Sequence, residues 1–96
     1  MANVYILYSK KLDKYYTGSC FNLMERIDDH LHKRFEDGFT SKADDWKLFY
    51  SINDLNYQQA RKIEKHIKKM KSRKYIENLK LYTEITIKLK EKYKGI

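Results

Sequence analysis

An α+β fold, a three-stranded antiparallel sheet flanked by helices, is predicted by two features of the sequence. The first is a run of three short segments with strand chemistry, two of them adjacent in the chain. The second is a set of segments whose apolar residues recur at helical spacing around and after them. The chain is 96 residues long, enough for one domain of ordinary size. Proline is absent and glycine occurs only at 18, 38 and 95. No linker, repeat or low-complexity stretch interrupts the chain, and one compact unit is expected.

Residues 3–8, Asn-Val-Tyr-Ile-Leu-Tyr, are β-branched and aromatic, which favours a strand. Residues 9–14 are polar and turn-like. Residues 15–20, Tyr-Tyr-Thr-Gly-Ser-Cys, read as a second strand, so the two form a hairpin. Asn22 then stands as a helix N-cap with Glu25 as its capping-box partner, and Leu23, Ile27 and Leu31 supply a buried stripe. Residues 33–45 are polar and contain Gly38 and Asp44-Asp45, as a loop does. Trp46, Leu48, Tyr50 and Ile52 alternate with Lys47, Phe49 and Ser51, the pattern of a half-buried strand. Ala60, Ile63, Ile67 and Met70 make 56–71 an amphipathic helix, and 72–79 a short further one. Tyr82, Ile85, Leu89 and Tyr93 allow a last helix, which Thr83, Thr86 and Ile87 weaken. The predicted order is β-β-α-β-α-α with a C-terminal helix beyond it, dividing into residues 2–79 and a basic extension over 80–96.

The composition excludes several classes. No stretch approaches the roughly 20 apolar residues of a membrane span. The first residues lack a basic region followed by an apolar core, so no secretory signal is expected. A lone Cys20 makes neither an internal disulfide nor a cysteine-rich zinc module, and a reduced, cytoplasmic setting is expected. The net charge of +8 is unevenly spread. Residues 1–59 hold 8 basic and 9 acidic side chains, whereas 60–96 hold 13 basic and 4 acidic. Between 61 and 74, Arg61, Lys62, Lys65, Lys68, Lys69, Lys71, Arg73 and Lys74 surround one acid, Glu64. That density suits either a solvated lysine-rich helix face or a nucleic-acid footprint.

Several residues carry chemistry in one of two ways. With the hairpin turn centred between Lys10 and Lys11, Tyr5 and Tyr16 face each other across the strands, either as a stabilising aromatic pair or as a pair of reactive phenols. Gly18 marks a bulge or leaves room for a substrate phosphate. Arg26 and His30, one helical turn apart, are surface residues or reach back over the sheet edge. Glu64 is an i, i+4 partner of Lys68 or a metal ligand, a role in which Mg²⁺ accepts one carboxylate together with waters and substrate phosphate.

Taken in order, Asn3-Val4-Tyr5, Tyr16-Thr17-Gly18, Asn22-Leu23 with Arg26 and His30, then Glu64 and Asn78 resemble the GIY-YIG nuclease family. The run from Tyr16 to His30 fits, as does the gap of about ten residues between the two tripeptides. The stretch from Phe39-Thr40 to Trp46-Lys47-Leu48 and the segment from Glu64 to Arg73 are similar to the small stand-alone members. Asn3, Val4 and Thr17 depart from the name motif. The resemblance implies a metal-dependent phosphodiesterase that cuts DNA to leave a 5′-phosphate and a 3′-hydroxyl, with one Mg²⁺ or Mn²⁺ ion. It implies Tyr5 as general base with Tyr16 sharing or assisting that role, Arg26 stabilising the phosphoryl transition state, His30 orienting the water or aiding proton transfer, and Glu64 holding the metal. Gly18 would let the backbone approach. Lys62, Lys65, Lys68, Lys69, Lys71, Arg73 and Lys74 would grip the DNA backbone with low sequence specificity, and Asn78 completes the motif. Competing readings are a non-catalytic nucleic-acid-binding module on the same fold and an interaction domain whose last helix docks a protein partner.

Overall fold

A computed structural model describes residues 1–31 and 42–94, with the side chains of 29–31 outside the description. The elements are β1 (Ala2–Ser9), β2 (Lys14–Cys20), α1 (Leu23–Leu31), β3 (Lys47–Leu55), α2 (Tyr57–Met70), α3 (Arg73–Leu81) and α4 (Thr83–Lys92). The three strands form one antiparallel sheet in the order β2-β1-β3, so the predicted α+β architecture is present. No helix among the described residues is long and apolar enough to cross a membrane.

The central strand explains the layering. Successive side chains of a strand point to opposite faces, and β1 is apolar on both. Ala2, Val4 and Ile6 enter the larger core with Ile52, Leu55, Ala60, Ile63, Ile67, Leu79 and Leu89, which brings α2, α3 and α4 onto that face. Tyr5 and Leu7 enter a smaller core with Cys20, Ala43 and Trp46, and Leu23 and Ile27 of α1 pack against it. The sheet therefore separates two hydrophobic layers, and β2 lies at its free edge.

The hairpin differs from the expected register. Tyr5 pairs with Gly18 and Leu7 with Tyr16, because residues 10–13 all belong to the turn and Lys14 pairs with Ser9. Asp13 takes a positive φ of 52° to close it. The turn is held from outside: Ser9 Oγ donates to Asp45 Oδ1 (2.6 Å), and Lys11 N–H donates to Asp45 Oδ2 (2.9 Å). These bonds hold the Asp45 carboxyl below its ordinary range, the Ser9 bond contributing most. They also fix the approach to Trp46, which is buried just before β3 rather than inside it.

The third strand runs on to Leu55 and does not alternate cleanly. A register shift opposite Ile6 and Leu7 leaves Leu48 exposed and Tyr50 half-buried. The Asn22 cap expected from the sequence is formed, and two further caps join it. Asn22 Oδ1 accepts from Glu25 N–H (3.0 Å), Asn56 and Gln59 form a reciprocal capping box, and Ser72 Oγ accepts from Tyr75 N–H (3.1 Å). Lys71, left-handed at φ 48°, ends α2 and turns the chain into α3.

The boundary drawn after residue 79 falls inside α3, and α4 packs into the larger core. Leu89 is buried there, Gln59 Nε2 donates to the Lys90 carbonyl (3.0 Å), and Tyr50 and Thr86 share a hydroxyl hydrogen bond (2.6 Å). His66 Nδ1 and the Tyr93 hydroxyl lie 2.9 Å apart. Tyr82, expected on the buried stripe, is instead the exposed residue between α3 and α4.

Candidate active site

The side chains nominated from the sequence come from two layers and meet at the edge strand. Tyr5 and Tyr16 project on the α1 side of the sheet, where Arg26 of α1 joins them. Glu64 belongs to α2, on the other side. Because β2 is an edge strand among the described residues, groups from both layers reach around it into one cleft of about 410 Å³. Tyr5, Tyr16, Gly18, Ser19, Arg26 and Glu64 line that cleft, and Phe21, Tyr57 and Arg61 form more of its wall.

Tyr5 and Tyr16 are diagonal neighbours, with ring centroids 6.3 Å apart, rather than directly opposed. The space over Gly18 is filled by Tyr5: a Cβ built there would stand 2.5 Å from the Tyr5 hydroxyl oxygen and 2.6 Å from Cζ. The glycine expected to make room for a substrate phosphate makes room for this phenol. Tyr5 is only 1% exposed. Burial pushes its phenol well above the ordinary tyrosine range; Tyr16 alongside adds to the rise, and Arg26 opposes it. The Cys20 thiol is raised by burial as well, against the pull of Arg26.

Glu64 is oriented through both oxygens. Ser19 Oγ donates to Oε1 (2.6 Å) and Lys68 Nζ to Oε2 (2.7 Å), so the i, i+4 ion pair read from the sequence is formed. Ser19 points to the α2 side, opposite to Gly18, which is how a strand residue comes to position a carboxylate from the other layer. Each carboxylate oxygen keeps a second lone pair. Among the described residues no group of three His, Cys, Asp or Glu could hold a metal. The donor set is therefore one hard oxygen ligand on the wall of an open cleft. That fits Mg²⁺ or Mn²⁺, hard cations that keep waters and bind through one or two carboxylates plus substrate phosphate.

Two predicted residues remain, His30 and Asn78. His30 lies in α1, and its side chain is outside the described residues. Asn78 is in α3, where its carbonyl accepts from Tyr82 N–H (2.8 Å), and it does not line the cleft.

The basic segment is divided between faces. Lys62, Lys65 and Lys69 border a depression shared with His66, Lys92 and Tyr93. Lys68 and Lys71 border a second one of about 620 Å³ that adjoins Tyr16. Lys74 lines neither of these depressions. Arg73 is not a free DNA contact. Its guanidinium forks onto Asp13, with Nη2 to Oδ1 at 2.9 Å and Nη1 to Oδ2 at 3.1 Å, and Nη1 also reaches the Asp13 carbonyl (3.0 Å). Arg73, helped by the Tyr8 hydroxyl, holds the Asp13 carboxyl down to about 2. Arg73 therefore fastens the hairpin turn to α3. In salt titrations of DNA affinity, Lys71→Ala is expected to reduce the slope by about one, whereas Arg73→Ala leaves it as in the parent. Equal slopes for the two variants would refute the division.

Sequence reasoning passed over Ser19, Phe21, Tyr57 and Arg61 as site residues. A signal existed for the last two: Tyr57, Arg61, Glu64 and Lys68 recur at i, i+4, i+7 and i+11, one stripe of a helix. Ser19 and Phe21 follow only from the edge position of β2.

Comparison with known proteins identifies one family. A family model described as the GIY-YIG catalytic domain matches residues 1–78. No curated protein and no solved structure matches the chain.

Proposed function

This chain belongs to the GIY-YIG catalytic-domain family, and on that premise we propose that it is a divalent-metal-dependent DNA endonuclease that leaves a 5′-phosphate and a 3′-hydroxyl. The family is one of nucleases that act on DNA with divalent metal ions. The observation that carries the finer reading is the convergence of Tyr5, Tyr16, Arg26 and Glu64 on one cleft from opposite sides of the sheet.

Glu64 would hold the metal, with Ser19 fixing the rotamer that aims the carboxylate. When bound there, such an ion would supply Lewis-acid charge for the phosphate and the leaving oxygen. Arg26 meets the phosphoryl oxygens with the planar fork of its guanidinium donors. Tyr5 takes the proton of the attacking water at its phenolic oxygen, and Tyr16 beside it shares the hydrogen bonding of that water. His30, one turn after Arg26, assists proton transfer. Arg26 favours the Tyr5 phenolate while burial opposes it, so the base is ionised in only a small fraction of molecules at neutral pH. Lys68 and Lys71 hold the strand by its phosphates, which carry no sequence information directly. DNA repair, recombination or processing of foreign DNA, in the cytoplasm, is the setting we assign.

The test is nicking of supercoiled plasmid. Cleavage is expected with Mg²⁺ or Mn²⁺ and not with EDTA. A base whose pKa is raised gains about tenfold in its ionised form per pH unit below that pKa. Cleavage is therefore expected to rise from pH 6 to 10 without a plateau. Binding without cleavage under every metal and pH condition would instead support a non-catalytic nucleic-acid-binding module.

A further inference from the structure

Phe21 and Tyr57 are an aromatic pair left in water. Their rings stack with centroids 5.3 Å apart and planes 10° from parallel, yet the residues are 64% and 50% exposed. Neither belongs to either hydrophobic core. Phe21 precedes the Asn22 cap of α1, the position from which an apolar residue ordinarily folds back onto the first turn of its own helix. Here it turns instead to Tyr57, the first residue of α2. Arg61, one turn further along α2, donates from Nη1 to the Tyr57 hydroxyl (2.7 Å), and its guanidinium carbon lies 5.7 Å from the ring centroid. The pair is thus held in place before any ligand arrives, and both rings line the cleft that contains Tyr5, Tyr16, Arg26 and Glu64.

We propose that the Phe21–Tyr57 pair is a stacking platform for an unpaired DNA base at the rim of the cleft, so that the site takes DNA whose strand is single or splayed beside the phosphate being cut. The proposal rests on the reading of the cleft as a DNA-cutting site. An aromatic face accepts any base, because every base has a π-face, and basic groups alongside it track the backbone. Tyr57 covers one face of Phe21, and the exposure of Phe21 leaves the remainder of its ring available. Arg61 and Lys68 lie on the same stripe of α2 and supply positive charge next to the platform. In an intact duplex the base faces are covered by their neighbours, and the platform has nothing to stack on. A single strand, a flap or a gap presents an uncovered base.

The test measures fluorescence anisotropy in EDTA, so that no strand is cut. The probes are a labelled single strand and a duplex of the same sequence closed by loops at both ends. Phe21→Ala is expected to weaken binding of the single strand by about five- to 150-fold and of the closed duplex by less than about twofold. Tyr57→Phe, which keeps the ring and loses the Arg61 bond, should lose less single-strand binding than Phe21→Ala. Both positions are exposed, so folding is retained, and circular dichroism checks it. Equal losses on the two probes, or no loss on either, would overturn the proposal. The outcome is separable from catalysis. Selective loss in a protein that never cuts DNA leaves the platform standing and removes the nuclease reading. Unaltered single-strand binding by Phe21→Ala, in a protein that nicks plasmid, does the reverse.

Discussion

Glu64→Ala is expected to lower metal-dependent nicking by about 10²–10³-fold while leaving the fold intact, because it removes the one carboxylate on the cleft wall among the described residues. The structural cost is small. The Lys68 partner is half exposed, and an i, i+4 pair of this kind contributes about 0.3–0.5 kcal/mol. The Ser19 hydrogen bond adds about 1 kcal/mol. Glu64→Gln separates charge from shape, since an amide oxygen still accepts from Ser19 but no longer offers an anionic ligand. Both variants should therefore lose cleavage alike, with melting temperatures close to that of the parent. Activity within about threefold of the parent in either variant would remove Glu64 from the metal role.

Gly18→Ala should damage stability and turnover together. The added methyl would overlap the Tyr5 phenol, 2.5 Å from its oxygen and 3.0 Å from Cε1, and the ring has little freedom to yield. It is 1% exposed and packed with Leu7, Cys20, Ala43 and Trp46 in the smaller core. Overpacking of this kind costs about 1–3 kcal/mol. Displacing a reacting group by about 1 Å is expected to cost about 10²-fold in rate. Adding Tyr5→Phe to Gly18→Ala removes the closest clashing atom, so part of the lost stability should return in thermal melts and none of the activity. If Gly18→Ala melts and cuts like the parent, the close approach of strand and phenol is not a constraint on this protein.

The fold was legible where chemistry is local. Asn22 announces the start of α1 because a side-chain oxygen beside orphan N–H groups is a property of the immediate sequence. The central strand was legible because Val-Tyr-Ile-Leu is apolar on both faces. The hairpin register was not, since Lys10-Lys11-Leu12-Asp13 holds no glycine or asparagine to fix a turn type, and what sets it is Asp45, far along the chain. Arg73 illustrates a second limit. Its charge was visible, but its partner Asp13 lies 60 residues away, and pairing turns a presumed phosphate contact into a clasp. Within the candidate site, the ordered motif identified Tyr5, Tyr16, Arg26 and Glu64 as belonging together. That they meet around an edge strand, with Ser19 as the bridge between layers, depends on strand order, and strand order is not written in any one segment.

The partition of the molecule by β1 has a consequence for how such a small protein could be adapted to new conditions. The larger core beneath α2, α3 and α4 lies on the opposite side of the wall from the tyrosines. Packing there could be tightened or loosened, for a hotter or colder host, with the reactive phenols left untouched. On that face, packing can be adjusted without moving the two phenols, in fewer than a hundred residues.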